Sequence, residues 1–338
     1  RDSLMSLFTN ILVGVDLGRC EPLDISGLNT IAWEPILWAI QLAKASSSRL
    51  LFFSASNIGE EALLPLAEED RSRVRDTIFQ GGSKVLQDLV QHAKTQGVEA
   101  QSKLVAGTGW LEIIRQVLHG KNDLVVVGTR DLTNLRRMLF GSTTMKLLRR
   151  CPCPVLVTKA LTFASGVLGA NVRRGPGHAV SPLNILVATD LKPPSEVALR
   201  LSVALAQQMN ARIHILHVVE YQLDEVCNIG LPDAKQDEYR RKVRAQAQEI
   251  LHAQLEKIDY KALGGRIEVH LAGDVGLPDV AIQHFIQVHH IHLLVMGTIG
   301  RGGIRGIMVG NTAERLLPEV HCSVLAVKPP DFVCPVEG

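Results

Sequence analysis

A glycine-rich stretch near the end of the chain carries the clearest chemical signal. It reads Gly297-Thr-Ile-Gly300-Arg-Gly302-Gly303-Ile-Arg-Gly306-Ile-Met-Val-Gly310-Asn311-Thr312-Ala-Glu314, with five glycines between positions 300 and 310. Lacking Cβ atoms, such a loop can bring backbone N–H groups against phosphate oxygens and can reach positive φ. Asn311 fits a helix N-cap, and Glu314, three residues on, fits its reciprocal partner in a capping box. A helix starting there would turn free N–H groups and the positive end of its dipole toward the loop, an arrangement suited to an anion, with phosphate the natural candidate. Arg301 and Arg305, inside the loop, could add charge-assisted hydrogen bonds. The competing reading is structural: glycines that only turn the chain and a cap that only starts a helix. The stretch is neither a P-loop, since no Gly-Lys-Ser/Thr ending is present, nor a dinucleotide fingerprint, since it follows a fourth strand and not a first.

The elements that must position it are legible on either side. Short β-branched apolar runs alternate with longer amphipathic patterns, which predicts parallel strands joined by crossover helices. In the second half the expected strands are 184–189, 212–219, 266–272, 292–297 and 323–328. Helices are expected over 195–208, where Val197, Leu201, Ala204 and Leu205 share a face, and over 236–258, where Val243, Ala247, Ile250 and Leu251 do. In an open parallel sheet a ligand binds beyond the carboxyl ends of the strands. Asp190 ends the first of these strands and Gly297 the fourth.

The first half repeats the second. Asn10-Ile-Leu-Val-Gly-Val-Asp16 recurs as Asn184-Ile-Leu-Val-Ala-Thr-Asp190, a shift of 190 − 16 = 174. Leu124-Val-Val-Val-Gly-Thr129 recurs as Leu293-Leu-Val-Met-Gly-Thr298, Gly141 as Gly310, and the strand ending at Lys159 as the one ending at Lys328, all with a shift of 169. Ordered matches at a nearly constant shift indicate a duplicated domain. The expected division is a first domain over 8–160, a turn-rich linker over 161–182 and a second domain over 183–330. Only the first copy has an extra loop between first strand and first helix, roughly 17–30, expected to lean over the ligand position.

Charge favours no nucleic-acid or membrane partner: 36 Lys+Arg face 34 Asp+Glu in 338 residues, and no apolar run approaches a membrane span of about 20 residues. Without a secretory signal pattern, the expected compartment is the cytoplasm. The chain opens on Arg1, and Met5 is the expected natural start. Six scattered cysteines read as buried thiols, with Cys151-Pro-Cys153 a packing feature that lacks redox spacing. His289, His290 and His292, with His214 and His217 on the neighbouring strand, read as strand-edge or core histidines, because no carboxylate or cysteine stands at ligand spacing; no metal site is expected. Arg136-Arg137, Arg149-Arg150 and Arg240-Arg241-Lys242 read as solvated helix faces.

The spacing Gly297-x2-Gly300-x9-Gly310 after a fourth strand, with the Asp190 strand end, the His217-Val218 strand end and the closing Cys322-Ser-Val-Leu-Ala-Val-Lys-Pro329, resembles the universal stress protein family. The resemblance spans both halves, and the chain looks most like a tandem-domain member. It implies an α/β fold of two open five-stranded parallel sheets, Rossmann-like and similar to adenine nucleotide alpha hydrolases, paired through their last strands as an internal pseudo-dimer. In the family's nucleotide-binding branch ATP sits at the strand ends. Carried over, Asp190 and Val218 would hold the adenosine, and Gly297, Gly300, Gly310, Asn311 and Thr312 the phosphates, with Asp190 a candidate to help place Mg²⁺. Asn311 departs from the usual Ser or Thr. In the first copy Gly141-Ser142 is kept, but Asp131 replaces the middle glycine, where a carboxylate would repel phosphate; Asp16 and Ser54 occupy the adenosine side. The expected function is regulatory: a stress-response protein that binds ATP in its second domain without rapid turnover and has no catalytic residue. The alternatives are a scaffold that binds no nucleotide and acts through protein partners, and a weak ATPase. Internal pairing of the domains leaves a homodimer open.

Overall fold

Runs such as Leu124-Val-Val-Val and Leu293-Leu-Val-Met are buried at every residue, the pattern of parallel strands covered by helices on both faces and not of strands half exposed to water. The computed structural model describes residues 7–18, 20–56, 65–129, 141–159, 182–221, 232–273, 276–298 and 310–337. The first copy runs β1 (Asn10–Gly14), α1 (Thr30–Ser46), β2 (Arg49–Ser56), α2 (Glu68–Thr95), β3 (Ala100–Ala106), α3 (Gly109–Gly120), β4 (Leu124–Gly128), α4 (Ser142–Arg150) and β5 (Val155–Thr158). The second repeats that order with β6 (Asn184–Ala188), α5 (Pro193–Gln208), β7 (Arg212–Val218), α6 (Asp233–Glu256), β8 (Ile267–Ala272), α7 (Pro278–Val288), β9 (Leu293–Gly297), α8 (Asn311–Leu316) and β10 (Ser323–Val327). The expected strands of the second copy agree to within a residue at each end. Helix α5 starts two residues earlier than the periodicity predicts, because prolines suit the first helical positions, where an N–H has no partner anyway.

Both copies contribute to one ten-stranded sheet in the order β3-β2-β1-β4-β5-β10-β9-β6-β7-β8. Each half is parallel throughout, and the single antiparallel junction joins β5 to β10, the two last strands. Leu156 faces Leu325 in that junction. Those residues differ by 325 − 156 = 169, the shift of the sequence repeat, so the pseudo-two-fold axis passes through this pair. The expected α/β architecture and internal pseudo-dimer are therefore both present.

The seam is knitted by residues that also obey the repeat. Lys159 and Lys328, 169 positions apart, follow the last strands and are almost fully buried. The Lys159 ammonium donates to the Val320 carbonyl of the second copy, and the Lys328 ammonium to the Leu148 carbonyl of the first. Burial holds both lysines down from the ordinary 10.5 to about 8. The Lys159 N–H donates to Ser323 Oγ at 3.1 Å, and Arg149 meets Glu314 across the seam at 3.4 Å. Of the other basic clusters, Arg150 lies over the Trp110 ring, Arg240 over Tyr221, and Lys242 pairs with Glu238; Arg136-Arg137 lie outside the described residues.

The extra loop of the first copy explains two glycines that a 28-residue helix should avoid. Within α2 each of Gly81 and Gly82 costs about 1 kcal/mol relative to Ala. A Cβ on Gly81 would lie 2.1 Å from Leu23 Cδ2, and one on Gly82 3.0 Å from Leu17 Cδ1. The glycines form a notch that seats the loop on α2.

Candidate functional site

The strand order of the second copy places a topological switch point between β6 and β9. From β6 the chain passes to β7 and β8 on one side, then crosses to β9 on the other, so the connections leaving β6 and β9 diverge and leave a crevice beyond their carboxyl ends. Asp190 follows β6 and Gly297 ends β9, one on each side of it.

The turn after β6 is held by its own side chains. Asp190 Oδ1 accepts the Lys192 N–H at 3.1 Å and Oδ2 lies 3.5 Å from the Lys192 ammonium, with the carboxylate half exposed. Thr189 Oγ1 accepts from the Leu191 N–H at 3.0 Å, and Gln254 donates to the Leu191 carbonyl at 2.9 Å. These bonds hold Leu191 at φ 58°, a left-handed conformation that a Leu rarely adopts and that persists only where its surroundings over-determine it. On β7, Leu216 accepts from the Thr189 N–H and Val219 donates to Ala272. Alternation along the strand therefore turns the backbone groups of Val218 to the β6 side, over the point where β6 has ended. His217 ties the two strands together, its Nδ1 lying 2.9 Å from the Thr189 carbonyl.

The two ends of the glycine loop meet. The Gly310 N–H donates to the Thr298 carbonyl at 2.6 Å, and the Thr298 N–H donates to Val327 at 3.2 Å, so Gly310, Asn311 and Thr312 start α8 directly beside Gly297. Thr298 is fully buried and its hydroxyl has no hydrogen-bond partner among the described residues. A Cβ built on Gly297 would meet no described atom within 4 Å. Gly300, Arg301 and Arg305 lie outside the described residues, as does Asp131.

The expected capping box does not form. Gly310 is the N-cap, with no side-chain cap bond, and Asn311 is already the first helical residue. The Glu314 carboxylate reaches instead to Arg149 of the first copy. The backbone turns at Gly310, one residue before the better capping side chain of Asn311, and among the described residues no side chain accepts from the first turn of α8.

The corresponding end of the first copy is built differently. Asp16 Oδ1 accepts the Gly18 N–H at 3.0 Å in a turn like that of Asp190. Ser54, expected on the adenosine side, is buried and donates to the Val15 carbonyl at 2.8 Å. Strand register explains this: Arg49 opposes Asn10 as Arg212 opposes Asn184, so Ser54 corresponds to His217, and Ala55 corresponds to Val218. At Gly128 an added Cβ would make ordinary van der Waals contact with α1, 3.5 Å from Ile31 O and 3.5 Å from the Pro35 ring.

Two cavities, of about 280 and 190 Å³, lie at the opposite ends of the strands, near Asn10 and Arg49 in the first copy and near His292 and Cys322 in the second. Neither is the crevice described above. Cys151 and Cys153 are buried with their sulfurs 3.6 Å apart. Among the histidines, His292 Nδ1 accepts from the Asn184 N–H at 3.0 Å and serves the start of β6. No carboxylate stands at ligand spacing from the other histidines in the sequence, but β8 brings Glu268 and His270 beside His214 in space. No helix among the described residues is long and apolar enough to cross a membrane.

Known proteins share this organisation. A sequence model of the universal stress protein family matches residues 8–159 and 183–328. Universal stress protein E of Escherichia coli K12 is 25% identical over 338 residues, covering 98% of both chains. A universal stress protein from Methanocaldococcus jannaschii is 29% identical over 147 residues, 43% of this chain and 82% of its own. A solved universal stress protein from Archaeoglobus fulgidus aligns with a TM-score of 0.62 at 18% identity, covering 96% of this chain and 98% of that one. With the family pattern matched in each half and the two halves joined through their last strands, the chain belongs to the universal stress protein family as a tandem-domain member similar along its length to universal stress protein E.

Proposed function

We propose that this protein is a regulatory stress-response protein whose second domain, taken as residues 183–330, binds ATP with Mg²⁺ and does not turn it over rapidly. The Thr298–Gly310 hydrogen bond is the observation that carries this reading, because it sets the first turn of α8 beside Gly297 at a switch point. In this reading the phosphates lie against Gly297, Gly300, Gly310, Asn311 and Thr312, while the adenosine lies between Asp190 and the Val218 backbone. Asp190 is the one carboxylate assigned to the site, and its engagement by Lys192 argues against a general base. The first domain, taken as 8–160 and followed by a linker over 161–182, carries Asp131 in place of the middle glycine and is assigned no nucleotide.

Calorimetry of the full chain with Mg-ATP tests the proposal. Gly297→Ala, which meets no described atom, should leave the melting temperature unchanged and weaken binding, and Gly300→Asp should weaken it further by placing a carboxylate among the phosphates. Absence of ATP binding by the wild-type chain would sink the nucleotide reading. The Asp131 departure in the first domain favours, for that half, a scaffold role through protein partners in the cytoplasm. Partners captured equally by wild type and Gly297→Ala would support such a role, and partners exchanged on adding ATP would count against it.

A further inference from the structure

At the outer edge of the second domain, three potential ligand atoms from two strands converge on one point. His214 on β7 opposes Glu268 on β8, and His270, two residues further along β8, points to the same face. His214 Nδ1 lies 3.3 Å from His270 Nε2 and 3.5 Å from Glu268 Oε2, while His270 Nε2 lies 3.6 Å from that same oxygen. The three atoms thus form a nearly equilateral triangle. Tetrahedral bonds of about 2.0–2.2 Å to nitrogen and oxygen separate neighbouring ligand atoms by about 3.3–3.6 Å, the edges found here.

We propose that His214, Glu268 and His270 bind a divalent zinc ion. Two imidazoles and one carboxylate make a borderline donor set that suits Zn²⁺ better than the oxygen-only sites preferred by Mg²⁺ or Ca²⁺. Exposure grades across the cluster: the His214 side chain is 4% exposed, that of His270 27% and that of Glu268 46%. The ion is therefore seated on a dry strand face on one side and keeps a fourth position open to water on the other, as exchangeable and catalytic zinc sites do. Packing fixes the imidazoles. His270 meets the Phe285 ring edge-on at 4.7 Å and His214 meets it at 5.7 Å, while His289 stacks on Phe285 from the end of α7. The site lies four residues before Val218 on β7, about 13 Å away along the strand, so it does not overlap the nucleotide crevice. Its effect is to pin β8, one of the two edge strands of the sheet, to β7.

The test uses the full chain without an affinity tag, stripped of metal by a chelator that is then dialysed away, titrated with Zn²⁺ and, separately, with Co²⁺. The expected result is one Zn²⁺ per chain and a Co²⁺ complex whose visible bands are those of a tetrahedral ion without thiolate charge transfer. His270→Ala should weaken Zn²⁺ by about 100-fold or more and Glu268→Gln by about 10-fold, at or above the loss typical of an outer-shell partner. Both variants lie at the exposed side of the cluster, and circular dichroism checks that they fold. Less than one equivalent bound, binding that survives both substitutions, or a thiolate band that assigns the metal to the cysteines would each overturn the proposal.

Discussion

Replacing the two seam lysines by Met should change the way stability depends on pH. Lys159 is 1% exposed and Lys328 6%, and burial is the largest cause of their depression from 10.5 to about 8. In the unfolded chain both stay protonated until pH approaches 10.5, whereas in the folded chain they release their protons through about 8. The unfolded state therefore binds more protons across that interval, and stability rises with pH within it. For one lysine with these two values, the gain between about pH 7 and pH 9 is about 1.3 kcal/mol, and for both about 2.7 kcal/mol. Cys322 acts in the opposite sense, since burial pushes it from 9.0 up to about 12, but its contribution starts only near pH 9. Urea unfolding followed by circular dichroism at pH 7, 8 and 9 should show wild-type stability rising by about 2.7 kcal/mol relative to the double variant Lys159→Met, Lys328→Met, and by about half that relative to either single variant. The variants also lose hydrogen bonds to Val320 and Leu148, so only the difference in slope bears on the reasoning. Parallel pH profiles for wild type and double variant would show that the ammonium groups are solvated and the seam is wet.

Other substitutions probe the seam, the candidate site and the extra loop. Leu156→Ala, on the pseudo-two-fold axis, should lower stability by roughly 2–5 kcal/mol in denaturant titrations, because the seam cannot collapse onto the lost volume. Glu314→Ala removes an exposed ion pair with Arg149 and should cost less than about 1 kcal/mol, a loss that added salt conceals. Arg315→Ala should cost roughly 1–3 kcal/mol, since both Nε and Nη2 lie 2.9 Å from Asp279 Oδ1 and the Asp279 side chain is 11% exposed. This pair ties α8 to α7, so the same variant should also weaken any nucleotide held at Gly310. Gly81→Ala should unseat Leu23 and make residues 17–30 more sensitive to limited proteolysis while helix content stays constant.

How much of this was legible in the sequence depended on whether a feature belongs to one strand or to a pairing of strands. The strands were legible because fully buried parallel strands are short apolar runs, and the duplication because Leu124 to Thr129 and Leu293 to Thr298 keep a constant shift. The seam was expected only through the family resemblance. The lysines that knit it appear in the sequence as two residues ending two strands, and their burial exists only once each copy lies against the other. The cap of α8 was misplaced by one residue because Asn311 has the better capping side chain while the backbone turns at Gly310. Ser54 was matched to the ligand side by its place near a strand end, and only the register of β1 with β2 shows it to be the counterpart of His217, with its hydroxyl engaged by Val15.

The histidine cluster is the strongest case. Glu268 and His270 follow His214 by 54 and 56 residues, so no local spacing connects them, and seven other histidines in the same half obscure the signal. They meet because β8 pairs with β7 in a register that sets Glu268 opposite His214. A one-residue slip in that register would turn Glu268 and His270 to the opposite face and leave His214 facing Ile267 or Val269. Ligand sets carried by paired strands are thus specified by the pairing register, here that of β7 with β8, which no motif built from the ligands themselves includes.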